Sequence, residues 1–175
     1  MFRKLNFRFV LLIAVSVFFT GGCSGYRAGS IANPKYKTIA IGQVVNNTME
    51  PLASAYLRKL LAEKFMTDGS MRVVKASEAD CIIYINIDKI KTTASSYDST
   101  DSEDRYRPAE WSMRMTIRFT VIEPGKARPV IPERTLTASA RYAVTVDQYA
   151  DRRSGLELLS NNISERIVEY TVEAW

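Results

Sequence analysis

Eleven consecutive residues, Trp111 to Val121, alternate without a break. Trp111, Met113, Met115, Ile117, Phe119 and Val121 fall on one side, and Ser112, Arg114, Thr116, Arg118 and Thr120 on the other. A helix would scatter such a pattern around its axis, whereas a strand sorts it into one dry and one wet face. The stretch is therefore a long, half-buried strand of an antiparallel sheet. Pro124-Gly125 then supplies a turn. From Arg134 the alternation resumes, with Leu136, Ala138, Ala140, Tyr142, Val144 and Val146 against Thr135, Thr137, Ser139, Arg141 and Thr145. That is the hairpin partner.

The rest of the chain supplies what covers the dry face. Ile39 and Ile41 alternate with Thr38 and Ala40 in a first strand. Asn46-Asn47-Thr48 offers side-chain oxygens for a helix start, and Pro51 suits a first turn. From Pro51 to Met66, residues Ala53, Tyr56, Leu57, Leu60, Leu61 and Phe65 recur at helical spacing, and Asp68-Gly69 ends the segment. Met71 to Lys75 is a short strand. Ala79 to Lys91 is a stronger one, with Cys81, Ile83, Ile85 and Ile87 on one face and Tyr84, Asn86 and Asp88 on the other. Residues 92–110 carry no hydrophobic period and read as a long loop. A final helix over Ser154–Ala174 aligns Leu156, Leu159, Ile163, Ile167 and Tyr170. The order β-α-β-β-β-β-α places two helices on one face of a mainly antiparallel or mixed sheet of four to five strands. This is an α+β two-layer sandwich.

The amino terminus stands apart. Arg3, Lys4 and Arg8 precede the apolar run Phe9–Phe19, small residues Thr20, Gly21 and Gly22 follow, and then Cys23. A basic start, a short apolar core and a small-residue site make a secretory signal peptide. An uncleaved anchor is the alternative, although the run is short of the roughly 20 apolar residues a comfortable span needs. Residues 1–22 thus read as signal, 23–35 as a tether rich in Gly, Ser, Asn and Pro, and 36–175 as a single domain. The signal holds three of the 24 basic residues and none of the 19 acidic ones, so the net charge of +5 falls to +2 without it. The basicity is no sign of nucleic-acid binding.

Chemistry is scarce. The chain has no histidine, which excludes His-dependent triads and zinc sites. Its two cysteines cannot build a Cys₄ site. Cys81, in register with three isoleucines, reads as a small buried apolar residue rather than a redox centre. No catalytic, metal or cofactor residues are assigned. Asp98, Asp101, Glu103, Asp104 and Glu110 lack the spacing of an EF-hand, with Arg105 and Arg107 among them. They read as a solvated loop, with weak cation binding as the alternative. A hydrolase using acid pairs such as Asp88 or Glu110 has no positive support. Arg114, Arg118, Arg134 and Arg141 read as an outward row. Guanidinium groups there can bind phosphates or a partner's carboxylates, or simply solubilise the face.

Cysteine directly after a small-residue stretch resembles the bacterial lipoprotein signal, apart from Thr20 where an aliphatic is usual. That resemblance implies lipidation of Cys23, and Ser24 in the next position implies the outer membrane. Cys23-Ser24-Gly25-Tyr26-Arg27, the strand Tyr36–Val45, the helix start Asn46–Pro51 and Ala79-Asp80-Cys81-Ile82-Ile83 together resemble the LptE family of lipopolysaccharide-assembly lipoproteins. The resemblance spans nearly all of 23–175 and lies in pattern rather than in an invariant motif. It implies a non-enzymatic, lipid-anchored plug at the periplasmic face of the outer membrane, with an LptD-like β-barrel translocon and lipopolysaccharide as partners. A polar sheet face and loops would suit a polar barrel lumen. The strand, Asn-Asn-Thr turn and helix of 39–65 are also similar to LpoB-type activators of peptidoglycan synthases. Those usually carry a longer tether.

Overall fold

The structure, a computed structural model, describes residues 35–98 and 107–173. The chain forms β1 (Thr38–Asn46), α1 (Ala53–Asp68), β2 (Arg72–Val73), β3 (Cys81–Asp98), β4 (Arg107–Ile122), β5 (Ile131–Ala143) and α2 (Gln148–Glu173). The strands make one mixed sheet in the order β2-β1-β3-β4-β5. β1 runs parallel to β2 and β3, while β4 is antiparallel to both of its neighbours, β3 and β5. The expected element order and two-layer α+β class are the observed ones. The core lies where the alternation places it: Ile83, Ile85, Ile87, Met113, Met115, Ile117 and Phe119 meet Leu57, Leu61 and Phe65 of α1 and Leu159, Ile163 and Ile167 of α2. Truncating one of these large side chains to alanine would cost about 2–5 kcal/mol.

Polar strand termini and helix starts hid from the sequence reading. Residues 92–110 are not one loop. β3 continues to Asp98 and β4 begins at Arg107, with Thr93 opposite Ser112 and Ser96 opposite Glu110. This stretch supplies few side chains to the buried core, so selection for an apolar face is absent there, yet the ladder propagates outward from Trp111. α2 likewise starts at Gln148, not Ser154. Asp147 caps it, its Oδ1 accepting the N–H groups of Tyr149 (3.1 Å) and Ala150 (3.0 Å). Asn46 and Thr48 do not cap α1, whose N-cap Leu52 makes no side-chain bond. Instead Asn46 Oδ1 accepts from Thr48 N–H (3.1 Å) and Oγ1 (2.7 Å), and its amide donates to the Glu50 carbonyl (2.7 Å), folding the loop before the helix. β5 runs from Ile131 to Ala143 rather than Arg134 to Val146.

Gly69 ends α1 in the left-handed region (φ 72°). Gly125 (φ 80°) follows Pro124 in a turn closed by Lys126 N–H donating to the Glu123 carbonyl at 3.1 Å. Helix side chains occupy carbonyls of β1, past its short pairing with β2, and of the outer strand β5. Arg58 of α1 donates to the Ile41 (3.2 Å) and Gly42 (2.7 Å) carbonyls of β1. Asn162 and Arg166 of α2 donate to the Ser139 (3.2 Å) and Thr137 (2.5 Å) carbonyls of β5. Occupied carbonyls are poor templates for further strands.

Candidate functional site: the open face of the sheet

The helices cover one face of the sheet and leave the other to solvent, so the site is built from the outward residues of β3, β4 and β5. A bulge decides which these are. Ile87 is opposite Ile117, but the next pair is Lys89 and Thr116, leaving Asp88 unpaired in the ladder. One extra residue reverses the parity of everything after it. Ile90 and Thr92, opposite Met115 and Met113, therefore turn to the helix side, and Lys89 and Lys91 turn outward. Strict alternation from Cys81 would have sent both lysines into the core.

Lys91 then lies directly opposite Arg114, which is opposite Ser139 on its other side. Arg141 is one step along, opposite Ser112. Lys89, Lys91, Arg114 and Arg141 are all exposed. Among the described residues no carboxylate pairs with Lys89, Lys91 or Arg114, and Arg141 has only Glu110 at 4.0 Å. Like charges directly opposite on a sheet repel, so this row carries positive charge that its own neighbours do little to offset.

Arg118 behaves differently. Its Nε and Nη2 hold the Asp88 carboxylate bidentately at 2.7 and 2.9 Å, and Nη1 donates to Glu133 at 3.3 Å. The hydrogen bond to Asp88 pushes the arginine pKa up, and the same bond holds the Asp88 carboxyl below its usual range. The bulge residue and the arginine thus neutralise each other.

Of the sequence-predicted site residues, Arg114, Arg118 and Arg141 share the open face, but only Arg114 and Arg141 remain available. Arg134 does not join them. It is opposite Phe119 on the helix side, with its guanidinium carbon 5.7 Å from the centre of the Tyr170 ring on α2. The period of two requires this, because 134 and 136 share a face and Leu136 is buried. Its role is a cation–π contact at the sheet edge. Cys23 and the acids 101–104 lie outside the described residues. Lys89 and Lys91 were missed; the break between Ile87 and Ile90 was the available signal. Cys81 is buried among the isoleucines, and burial pushes its thiol up to about 12. Among the described residues no group of three or more acids and cysteines could hold a metal, and no helix is long and apolar enough to cross a membrane.

On the helix side, between the sheet and the first turns of α2, a cavity of about 340 Å³ is lined by Thr92, Trp111, Tyr142, Val144, Tyr149 and Arg152, among others. Arg152 closes one wall, bound to Glu50 and Tyr142.

Fold and site together define an α+β domain with one open, cation-bearing sheet face. Residues 36–171 match the model of the LptE family, described as lipopolysaccharide-assembly. The chain belongs to that family. Among solved structures, it is similar to a minor lipoprotein of Acinetobacter baumannii, with 12% identity, a TM-score of 0.52, and 79% of this chain and 94% of that one covered. It is also similar to a protein of Chlamydia trachomatis, with 14% identity, a TM-score of 0.52, and 80% and 99% covered. A third likeness is to the PelC dodecamer of Paraburkholderia phytofirmans, with 13% identity, a TM-score of 0.50, and 80% and 90% covered. At these identities the likeness is one of fold. No curated protein sequence matches the chain.

Proposed function

We propose that this lipopolysaccharide-assembly protein is anchored to the outer membrane through Cys23, works as the plug and assembly partner of an LptD-like β-barrel, and touches lipopolysaccharide through its open sheet face. The observation carrying the last part is Lys91 opposite Arg114, with Lys89 and Arg141 beside them and Arg118 neutralised by Asp88. Cations on a surface bearing serine and threonine, three of the four without a carboxylate partner among the described residues, match the phosphates of a phosphorylated glycolipid. The family membership supplies the glycolipid; the row supplies the contact. The work is binding and positioning, with no bond made or broken.

Two measurements test this reading. Mild-detergent extraction followed by affinity purification of the full chain should bring a large β-barrel with it, and isolation free of any barrel would overturn the partnership. Purified chain should bind lipopolysaccharide in a salt-sensitive manner, because exposed charge pairs are screened within a Debye length of about 8 Å at physiological salt. Replacing both Lys91 and Arg114 by Glu should weaken that binding at least tenfold. Unchanged binding would remove the row from the site.

A further inference from the structure

The sheet has a second opening besides its wet face. β1 stops at Asn46, opposite Ile87, and the last bond on that side is Asn47 N–H to the Ile87 carbonyl at 3.0 Å. Beyond it β3 continues from Asp88 to Asp98 and, among the described residues, has β4 on one side only. Among the described residues, the backbone groups of this stretch that point away from β4 bond to no other backbone group. Arg58, Asn162 and Arg166 occupy carbonyls on β1 and β5, but among the described residues no side chain does so here. Eleven residues at about 3.3 Å each make a bare edge roughly 36 Å long.

The cavity borders this edge. Thr92 belongs to the edge strand and also lines the cavity, whose other walls include Trp111, Tyr142, Val144 and Tyr149. Tyr149 is 83% exposed, so folding alone does not account for its place there. An incoming strand would take backbone hydrogen bonds from β3 and direct alternate side chains to the two faces. Those on the helix side would meet the aromatic cavity. Those on the open side would meet Lys89 and Lys91.

We propose that the β3 edge binds an extended segment of a partner protein, with an aromatic or branched residue seated in the Trp111–Tyr142–Tyr149 cavity and acidic residues beside Lys89 and Lys91. Other occupants fit less well. An acyl chain could fill the cavity but makes no use of the backbone donors and acceptors that line the edge. A second copy brings the same two lysines to the same edge. Residues 24–34 reach about 37 Å when fully stretched. They enter at Lys35, and the nine residues of β1 separate that point from the near end of the edge by roughly 30 Å. They cannot lie along it.

The test selects peptides from a displayed library of random twelve-residue sequences on the immobilised full chain. The best peptide is then synthesised, and amide hydrogen exchange is followed with and without it. Expected are alternating acidic and apolar residues in the selected sequences and at least tenfold slower exchange within 88–98 on binding. Proline at alternate positions should weaken binding tenfold or more, since it removes a ladder donor. The exposed Tyr149→Ala variant should keep the parent's melting temperature and lose several-fold in affinity. Three results would overturn the proposal: peptides that protect another region, protection of 88–98 that rises with protein concentration without peptide, or filling of the cavity by dodecanoate with no protection of the edge.

Discussion

Replacing Gly155 by alanine sets a local gain against a packing clash of known geometry. Gly155 is buried inside α2, where it faces Tyr142 of β5. Alanine is favoured over glycine in a helix interior by about 1 kcal/mol. Here, however, its Cβ would sit 2.3 Å from Tyr142 Cδ1, 2.8 Å from Cγ and 2.9 Å from Cε1. Carbon atoms in contact prefer about 3.5–4.0 Å. The ring must therefore retreat by more than an ångström at its root, where rotation about its own axis gives little relief. The strand or the helix has to shift instead, and overpacking of this kind costs roughly 1–3 kcal/mol. Because the ring is only half-buried, the net is a loss of about 1 kcal/mol. For a domain this size that corresponds to a drop of about 3–4 °C in Tm. Thermal melts followed by circular dichroism read it directly. In a Tyr142→Ala background the obstacle is gone, so Gly155→Ala should then raise Tm. A single variant that melts at or above the parent temperature would refute the reasoning.

The remaining predictions are briefer. Lys91→Glu replaces a repulsive cross-strand pair with an attractive one, so it should stabilise the fold by about 0.2–1 kcal/mol while weakening lipopolysaccharide binding; loss of both together would point to misfolding. Asp80, Asp88 and Glu123 are held below their usual range, chiefly by the Lys37 backbone N–H, the Arg118 guanidinium and the Lys126 ammonium respectively. Lowered carboxyl pKa values add stability that is fully present above the ordinary carboxylate range near pH 4 and is lost as pH falls through the folded values. Urea midpoints should accordingly fall between pH 5 and 3, and less steeply in Asp88→Asn; equal slopes would refute the assignment. Cys81, with its thiol pushed up to about 12, should resist alkylation at pH 8 until urea unfolds the chain, as peptide mass spectrometry would show.

Long alternating and helical periods were legible because burial writes them into the chain. Trp111–Val121, its partner strand and Leu57–Leu61–Phe65 could satisfy their apolar side chains in only one way, so class, order and core followed. The same was true of Gly69 and Gly125, whose positive φ values belong to the turns read from sequence. The polar ends of β3 and β4 and the first turns of α2 were not legible, because they touch little of the core and hydrogen bonding supplied by a neighbour holds them in place. The site fell between these cases. Arg114 and Arg141 followed from parity alone, and parity correctly applied also sends Arg134 to the helix side. What tertiary structure alone decided was the reversal at Asp88: pairing with β4 inserts one unmatched residue, and Lys89 and Lys91 exchange the core for the open face. It also decided which cations stay free, since Asp88 and Glu133 reach Arg118 only once three strands lie side by side. Side-chain periodicity is a property of one strand and is written locally, whereas register and charge pairing are properties of neighbours and exist only after the sheet has formed.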